Sequence, residues 1–170
     1  MIDLSRIATT LESLPDVLRT LLAPIDPDVL RSRPEPGEWS VHEIIGHLIA
    51  TDADAFQGRI DSIIAGEPEI AGFDPWAAID ARTFADESLD TLLTELAAGR
   101  AGCVAFLRAL DPDALSSTAT HSGDRVFTAG DFVLEWPFHD QEHLQQILAN
   151  LQVQYLPHMS ATMRTALTTD

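Results

Sequence analysis

The chain has no lysine, a single cysteine, and no apolar run approaching the ~20 residues a membrane-spanning helix needs. One cysteine, Cys103, excludes an intramolecular disulfide and any cysteine-cluster metal site. Set between Gly102 and Val104 in an apolar segment, it reads as a small buried hydrophobe rather than a nucleophile. The 10 basic side chains are all arginines, against 27 acidic ones, giving a formal net charge of −17. A surface this acidic repels phosphate backbones and anionic headgroups, which argues against nucleic acid and membrane partners. Met1-Ile2-Asp3-Leu4 lacks the basic start and apolar core of a signal peptide, so a cytoplasmic location is expected. Sustained apolar–polar alternation is also missing, and the chain is expected to be all-α.

What is present is helical periodicity in a chain of 170 residues, 45% of them hydrophobic, enough for one domain over 1–170 with a sizeable core. A first helix is expected over 3–22, with Leu4, Ile7, Leu11, Leu14, Leu18 and Leu21 along one face. Pro24 and Pro27 mark a connector. A second helix is expected from Ser40, an N-cap answered by Glu43, with Trp39 as a packing staple before it. Its stripe of Ile44, Leu48, Phe56, Ile60 and Ile63 runs toward Ile64 and stops at Gly66-Glu67-Pro68. Residues 69–86 then read as an ordered crossover carrying one short helix.

A third helix is expected from Ser88 to Leu110, where Gly99 and Gly102 imply close packing against a neighbour. Residues 116–125 are polar and read as a loop. A fourth helix opens at Thr128 with Asp131 three residues on, a capping-box pair, and runs to Leu151. Pro137 falls inside it and should kink it. Four amphipathic helices with a long crossover between the second and third make a four-helix bundle, and Met159, Met163 and Leu167 leave room for a short fifth helix packing on the bundle or on another subunit.

His139-Asp140-Gln141-Glu142-His143 places two imidazoles one helical turn apart, so both rings can reach one ion. The third ligand is expected to be His47, which shares a helix face with Ile44 and Leu48; polar rings turned toward an apolar interior need a partner, and a metal satisfies three at once. His42, beside the N-cap, is expected to face solvent, and His121 and His158 receive no role. His139-x-x-Glu142-His143 also matches an inverted zinc-peptidase pattern, but that site needs an acidic ligand downstream, and after His143 only the terminal Asp170 remains. A di-iron carboxylate bundle needs Glu-x-x-His pairs, whereas Glu43 precedes His47 by four and Glu142 abuts His143. A mononuclear site fits better. Glu43 and Glu135 read as capping or solvated carboxylates, and Trp39, Trp76 and Trp136 as core packing ahead of pocket lining.

Two segments carry a family resemblance. Pro36-Gly37-Glu38-Trp39-Ser40-Val41-His42-Glu43-Ile44-Ile45-Gly46-His47-Leu48 resembles the Trp-Ser/Thr helix start of the DinB-like superfamily of metal-binding four-helix bundles, followed eight residues later by histidine. His139-Asp140-Gln141-Glu142-His143-Leu144 resembles that family's closing H-x-x-x-H-L helix. The resemblance implies that His47, His139 and His143 hold one divalent ion with water in the open position, and it implies homodimerisation. It also implies kinship with bacillithiol S-transferases and a mycothiol-dependent isomerase, hence a low-molecular-weight thiol cosubstrate. The isomerase branch has glutamate where this chain has His139 and is not favoured. All-nitrogen ligation suits zinc, nickel, iron or copper, with zinc, nickel or iron expected. The expected function is a metal-dependent thiol S-transferase acting on a small molecule, and the alternative is a non-catalytic metal-binding or stress-related module.

Overall fold

A computed structural model describes residues 3–121 and 124–168. The tip of the expected 116–125 loop and Asp170 therefore lie outside the described residues. Helix α1 (Leu4–Leu22) is N-capped by Asp3, whose carboxylate accepts from the Arg6 amide, and buries Ile7, Leu11, Leu14, Leu18 and Leu22. The connector holds an unexpected short helix, α2 (Pro27–Arg31), started by Asp26 and by Pro27 in its first turn.

The second bundle helix is α3 (Val41–Thr51), a π-helical turn (Asp52–Gln57) and α4 (Gly58–Ile64). Ser40 and Glu43 form the expected capping box. Ile44, Leu48, Asp52, Phe56 and Ile60 are all buried at a constant spacing of four, a series that drifts about 40° per step around a regular α-helix. The wide turn resets the phase and keeps both halves of the stripe inward. Gly66, at φ 85°, ends α4 in a left-handed cap, with the Glu67 amide donating to Ser62 and the Gly66 amide to Ile63.

The crossover carries α5 (Pro75–Asp80) and a 3₁₀ turn that seats Phe84 on α3. A Cβ added at Gly46 would lie 2.3 Å from the Phe84 ring, so this glycine permits the contact. Helix α6 (Leu89–Ala109) starts at the Ser88 cap. Its Gly99 and Gly102 have no neighbour within 4 Å of an added Cβ, which corrects the expectation of close packing there. Both lie on the helix's open side.

Residues 116–125 are not simply a loop. Strands β1 (Thr118–His121) and β2 (Arg125–Thr128) form an antiparallel hairpin, and the crossover pairs with it through Ile70 and Pro68 to Thr120. Only Ala119 of these strands is fully buried, so the apolar alternation that would reveal them is lacking. Helix α7 (Ala129–Val153) opens with the expected Thr128–Asp131 capping box and runs unbroken through Pro137. The fifth helix, α8 (Ala161–Thr168), is present, but Met163 and Leu167 are exposed and do not pack on the bundle.

The bundle is thus α1, α3–α4, α6 and α7, with its interior in two apolar clusters. One centres on Leu11, Phe56, Ile60, Val104 and Trp136, the other on Leu18, Ile44, Leu48, Leu92 and Ile147. Cys103 is buried as expected, and burial pushes its thiol up to about 11, away from nucleophilic use. Among the described residues no helix is long and apolar enough to cross a membrane.

Candidate metal centre

His47 of α3 and His139 and His143 of α7 meet between the two apolar clusters. His139 Nε2 lies 3.0 Å from His47 Nε2 and 3.1 Å from His143 Nε2, and one ligand nitrogen from each ring lies within 4.8 Å of the others. Nitrogens ~2.05 Å from a shared ion are separated by roughly 2.9 Å at octahedral angles and 3.4 Å at tetrahedral ones. The two spacings from His139 fall in that interval. As hydrogen bonds the arrangement is poor, because His139 Nε2 carries one proton or one lone pair and faces two rings. Three lone pairs converging on a cation satisfy all of them. Among the described residues no other set of His, Cys, Asp or Glu converges in this way.

The rings are held neutral, which ligation requires. Burial lowers His47 to about 3, with His143 contributing. Burial likewise lowers His139 to about 3, aided by His143, His47 and Arg100. His143 is lowered by burial against a hydrogen bond to Gln146. That bond, 2.9 Å from His143 Nδ1 to Gln146 Oε1, puts the Nδ1 proton on the glutamine side and leaves Nε2 free to ligate. His47 Nδ1 and His139 Nδ1 are buried without a hydrogen-bond partner.

Aromatic rings wall the site. Trp39 lies 4.8 Å from His47 and 6.2 Å from His143 between centroids, Phe56 5.1 Å from His139, and Phe73 6.3 Å from His47. Trp39 therefore packs in the core and lines the centre at once. Trp136 is wholly buried, whereas Trp76 is 44% exposed and edges onto Trp39.

Beside the histidines lies a buried ion network absent from the sequence reading. Arg100 of α6 donates from Nε to Asp52 at 2.7 Å and from both Nη groups to Asp140 at 2.5 and 2.7 Å. Trp136 Nε1 completes Asp52 at 3.0 Å. Asp52 stands in the π turn after His47, and Asp140 stands between His139 and His143. One guanidinium thus ties together the two helices that carry the rings. Burial lifts Asp52 to about 6 against the pull of Arg100 and Trp136, and burial raises Asp140 as well. Desolvation opposes the charge on Arg100, but the two carboxylates outweigh it and raise its pKa. The signal was available: Arg100 occupies a core position between Leu96 and Cys103, and Asp52 one between Leu48 and Phe56.

The other candidates lie elsewhere. Glu142 is exposed on the outer face of α7, so the peptidase pattern has no geometric counterpart. Glu43 serves the capping box and pairs with Arg33, and Glu135 is exposed. His42 corrects its expectation: it is fully buried under the crossover, with both ring nitrogens lacking a side-chain partner, and burial lowers its pKa. His121 sits in β1 with Nδ1 3.2 Å from the Ile70 carbonyl oxygen, and His158 is exposed.

The sequence model of the DinB superfamily matches residues 10–147, a span that takes in all three histidines and reaches into all four bundle helices. The chain belongs to the DinB superfamily. Among solved structures, this DinB protein is similar to YfiT from Bacillus subtilis, described as "a probable metal-dependent hydrolase with an unusual four-helix bundle topology". The two share 17% identity over 89% of each chain with a TM-score of 0.77, a likeness of fold. No curated protein matches the chain. Within the DinB fold, the chemistry of the donor set suits a divalent transition ion: three neutral imidazoles, no fourth protein ligand among the described residues, and a wall of apolar rings.

Proposed function

We propose that this DinB protein is a metal-dependent enzyme of small-molecule chemistry, with His47, His139 and His143 holding one divalent ion and a low-molecular-weight thiol as nucleophile. The observation that carries the reading is the convergence of three imidazole Nε2 atoms with no fourth protein ligand among the described residues. Structural zinc sites are usually closed by four ligands, and a three-ligand set leaves a position for a reactant. When bound, the ion supplies Lewis acidity that stabilises a thiolate at neutral pH. The chain's own residues do the rest. Gln146 fixes the His143 tautomer, Arg100 ties the ligand helices together, and Trp39, Phe56 and Phe73 exclude water from one side.

In the transfer, the sulfur forms a bond to an electrophilic carbon, the bond to the leaving group breaks with its electron pair, and the thiol proton passes to solvent. A hydrolase, with water in place of the thiol, is the second reading, favoured by the description of YfiT. Leu134 and Phe138, one turn apart on α7 and 50% and 60% exposed, support a homodimer.

The test uses metal-replete protein and 1-chloro-2,4-dinitrobenzene with bacillithiol, mycothiol or cysteine, following chloride release. The proposal expects turnover only with a thiol, abolished in His143→Ala. Ester cleavage without thiol would favour the hydrolase. Silence against every thiol and electrophile, with metal tightly held, would leave a non-catalytic binding module.

A further inference from the structure

We infer that the cleft between α4 and the crossover binds the carboxylate of a small-molecule reactant, with Arg59 as the residue that holds it. The inference deepens the proposed function, since it concerns a reactant of the three-histidine site.

The pairing of the arginines sets Arg59 apart. Arg19, Arg33, Arg82, Arg100 and Arg108 each have a carboxylate at ion-pair distance, and Arg6, Arg31, Arg125 and Arg164 are exposed. Arg59 is half-buried with no carboxylate at that distance among the described residues, in a chain that offers 27 acidic groups. Glu135 of α7 favours its charge at longer range without making an ion pair, so the half-buried guanidinium has no direct anionic contact, and a ligand anion is the natural complement.

The side chain is also held in place. Its Nε lies 3.4 Å from the Ala71 carbonyl oxygen, and its Cζ stands 5.4 Å from the centroid of Phe132, a buried ring. Both Nη groups are left for a bidentate acceptor. They border a cavity of about 260 Å³ lined by Gly58, Arg59 and Ser62 of α4 and by Ile70, Gly72 and Phe73 of the crossover. That volume is close to the lower end of small-ligand sites. Phe73 forms the wall shared with the metal centre, its ring 6.3 Å from that of His47. Phe73 thus adjoins both sites, and the inference sets the carboxylate at Arg59 with the reacting end of the molecule on the histidine side of that ring. Asp54 also lines the cleft and opposes any anion there, so the single guanidinium can offset one ligand charge at most and the ligand class is a monocarboxylate.

Cobalt-loaded protein tests this through the thiolate-to-cobalt absorption band. ω-Mercaptocarboxylates of increasing chain length are titrated beside the matching amides. Wild type should bind the best-fitting acid about tenfold to a hundredfold tighter than its amide, and Arg59→Gln should erase that preference while keeping full cobalt content and thermal stability. If thiol acid and amide bind alike, iodoacetate is compared with iodoacetamide as electrophile, using 2-mercaptoethanol. A KM advantage for the acid that Arg59→Gln removes places the carboxylate on the electrophile. No preference in either arm, or one that survives Arg59→Gln, overturns the inference. If no thiol gives a band, the thiol reading fails by itself; hexanoate against hexanamide in calorimetry then decides the cleft, with acid-selective binding lost in Arg59→Gln expected and equal binding contradicting it.

Discussion

Replacing Arg100 by methionine isolates the link between fold and site. The guanidinium is 1% exposed and serves Asp52 and Asp140, each 3% exposed, so its removal strands two carboxylates in the core. Breaking a buried ion pair in this way costs about 3–5 kcal/mol. In a chain of this size each kcal/mol shifts the midpoint by roughly 2–4 °C, so Tm should fall by about 6–20 °C. The pH dependence gives a sharper signature. Asp52 already sits at about 6 in the fold, above its ordinary value, and without the guanidinium it rises further. An acid whose folded pKa exceeds its unfolded pKa favours the fold at low pH, and that contribution is lost as pH rises through the folded value. The deficit of Arg100→Met relative to wild type should therefore be largest near pH 8 and shrink toward pH 5. Urea unfolding of both metal-free proteins across that range reads it directly. A loss below ~1 kcal/mol, or one equal at pH 5 and pH 8, would refute the reasoning.

Other consequences follow from the same geometry. His47 and His139 are depressed to about 3, so the metal-free fold holds them neutral while the unfolded chain protonates them below ~6.5; stability should fall as pH drops from about 6.5 toward 3, with uptake of about two protons, measured as the slope of unfolding free energy against pH. Gly46→Ala should cost about 1–3 kcal/mol in chemical denaturation, because its methyl meets the Phe84 ring and the crossover must shift. Gln146→Leu removes the acceptor that orients His143 and should weaken metal binding by about tenfold to a hundredfold in chelator competition, with the fold intact by circular dichroism.

Much of the bundle was legible because its apolar residues keep helical periods and its caps are explicit. Ser40 with Glu43 and Thr128 with Asp131 mark two helix starts to the residue. The hairpin was illegible for the opposite reason: Thr118-Ala119-Thr120-His121 pairs through backbone, and one buried alanine leaves no pattern to read. His42 failed because nearness to a cap does not determine exposure when a crossover, whose path depends on tertiary packing, folds over the first turn. The three histidines were found by spacing and resemblance, and their convergence across 92 residues of chain separation between His47 and His139 is what the structure adds. Asp52 and Arg100 were not singled out from the sequence, although a charge at a core position of an apolar stripe marks a buried partner.

The central claim is that His47, from α3, completes a metal centre with the two histidines of α7. Metal content per chain, measured after purification and dialysis for wild type and His47→Ala, tests it most directly. The account predicts close to one divalent ion per wild-type chain and a loss of most of it in the variant, with helicity retained. Full metal content in His47→Ala would contradict it.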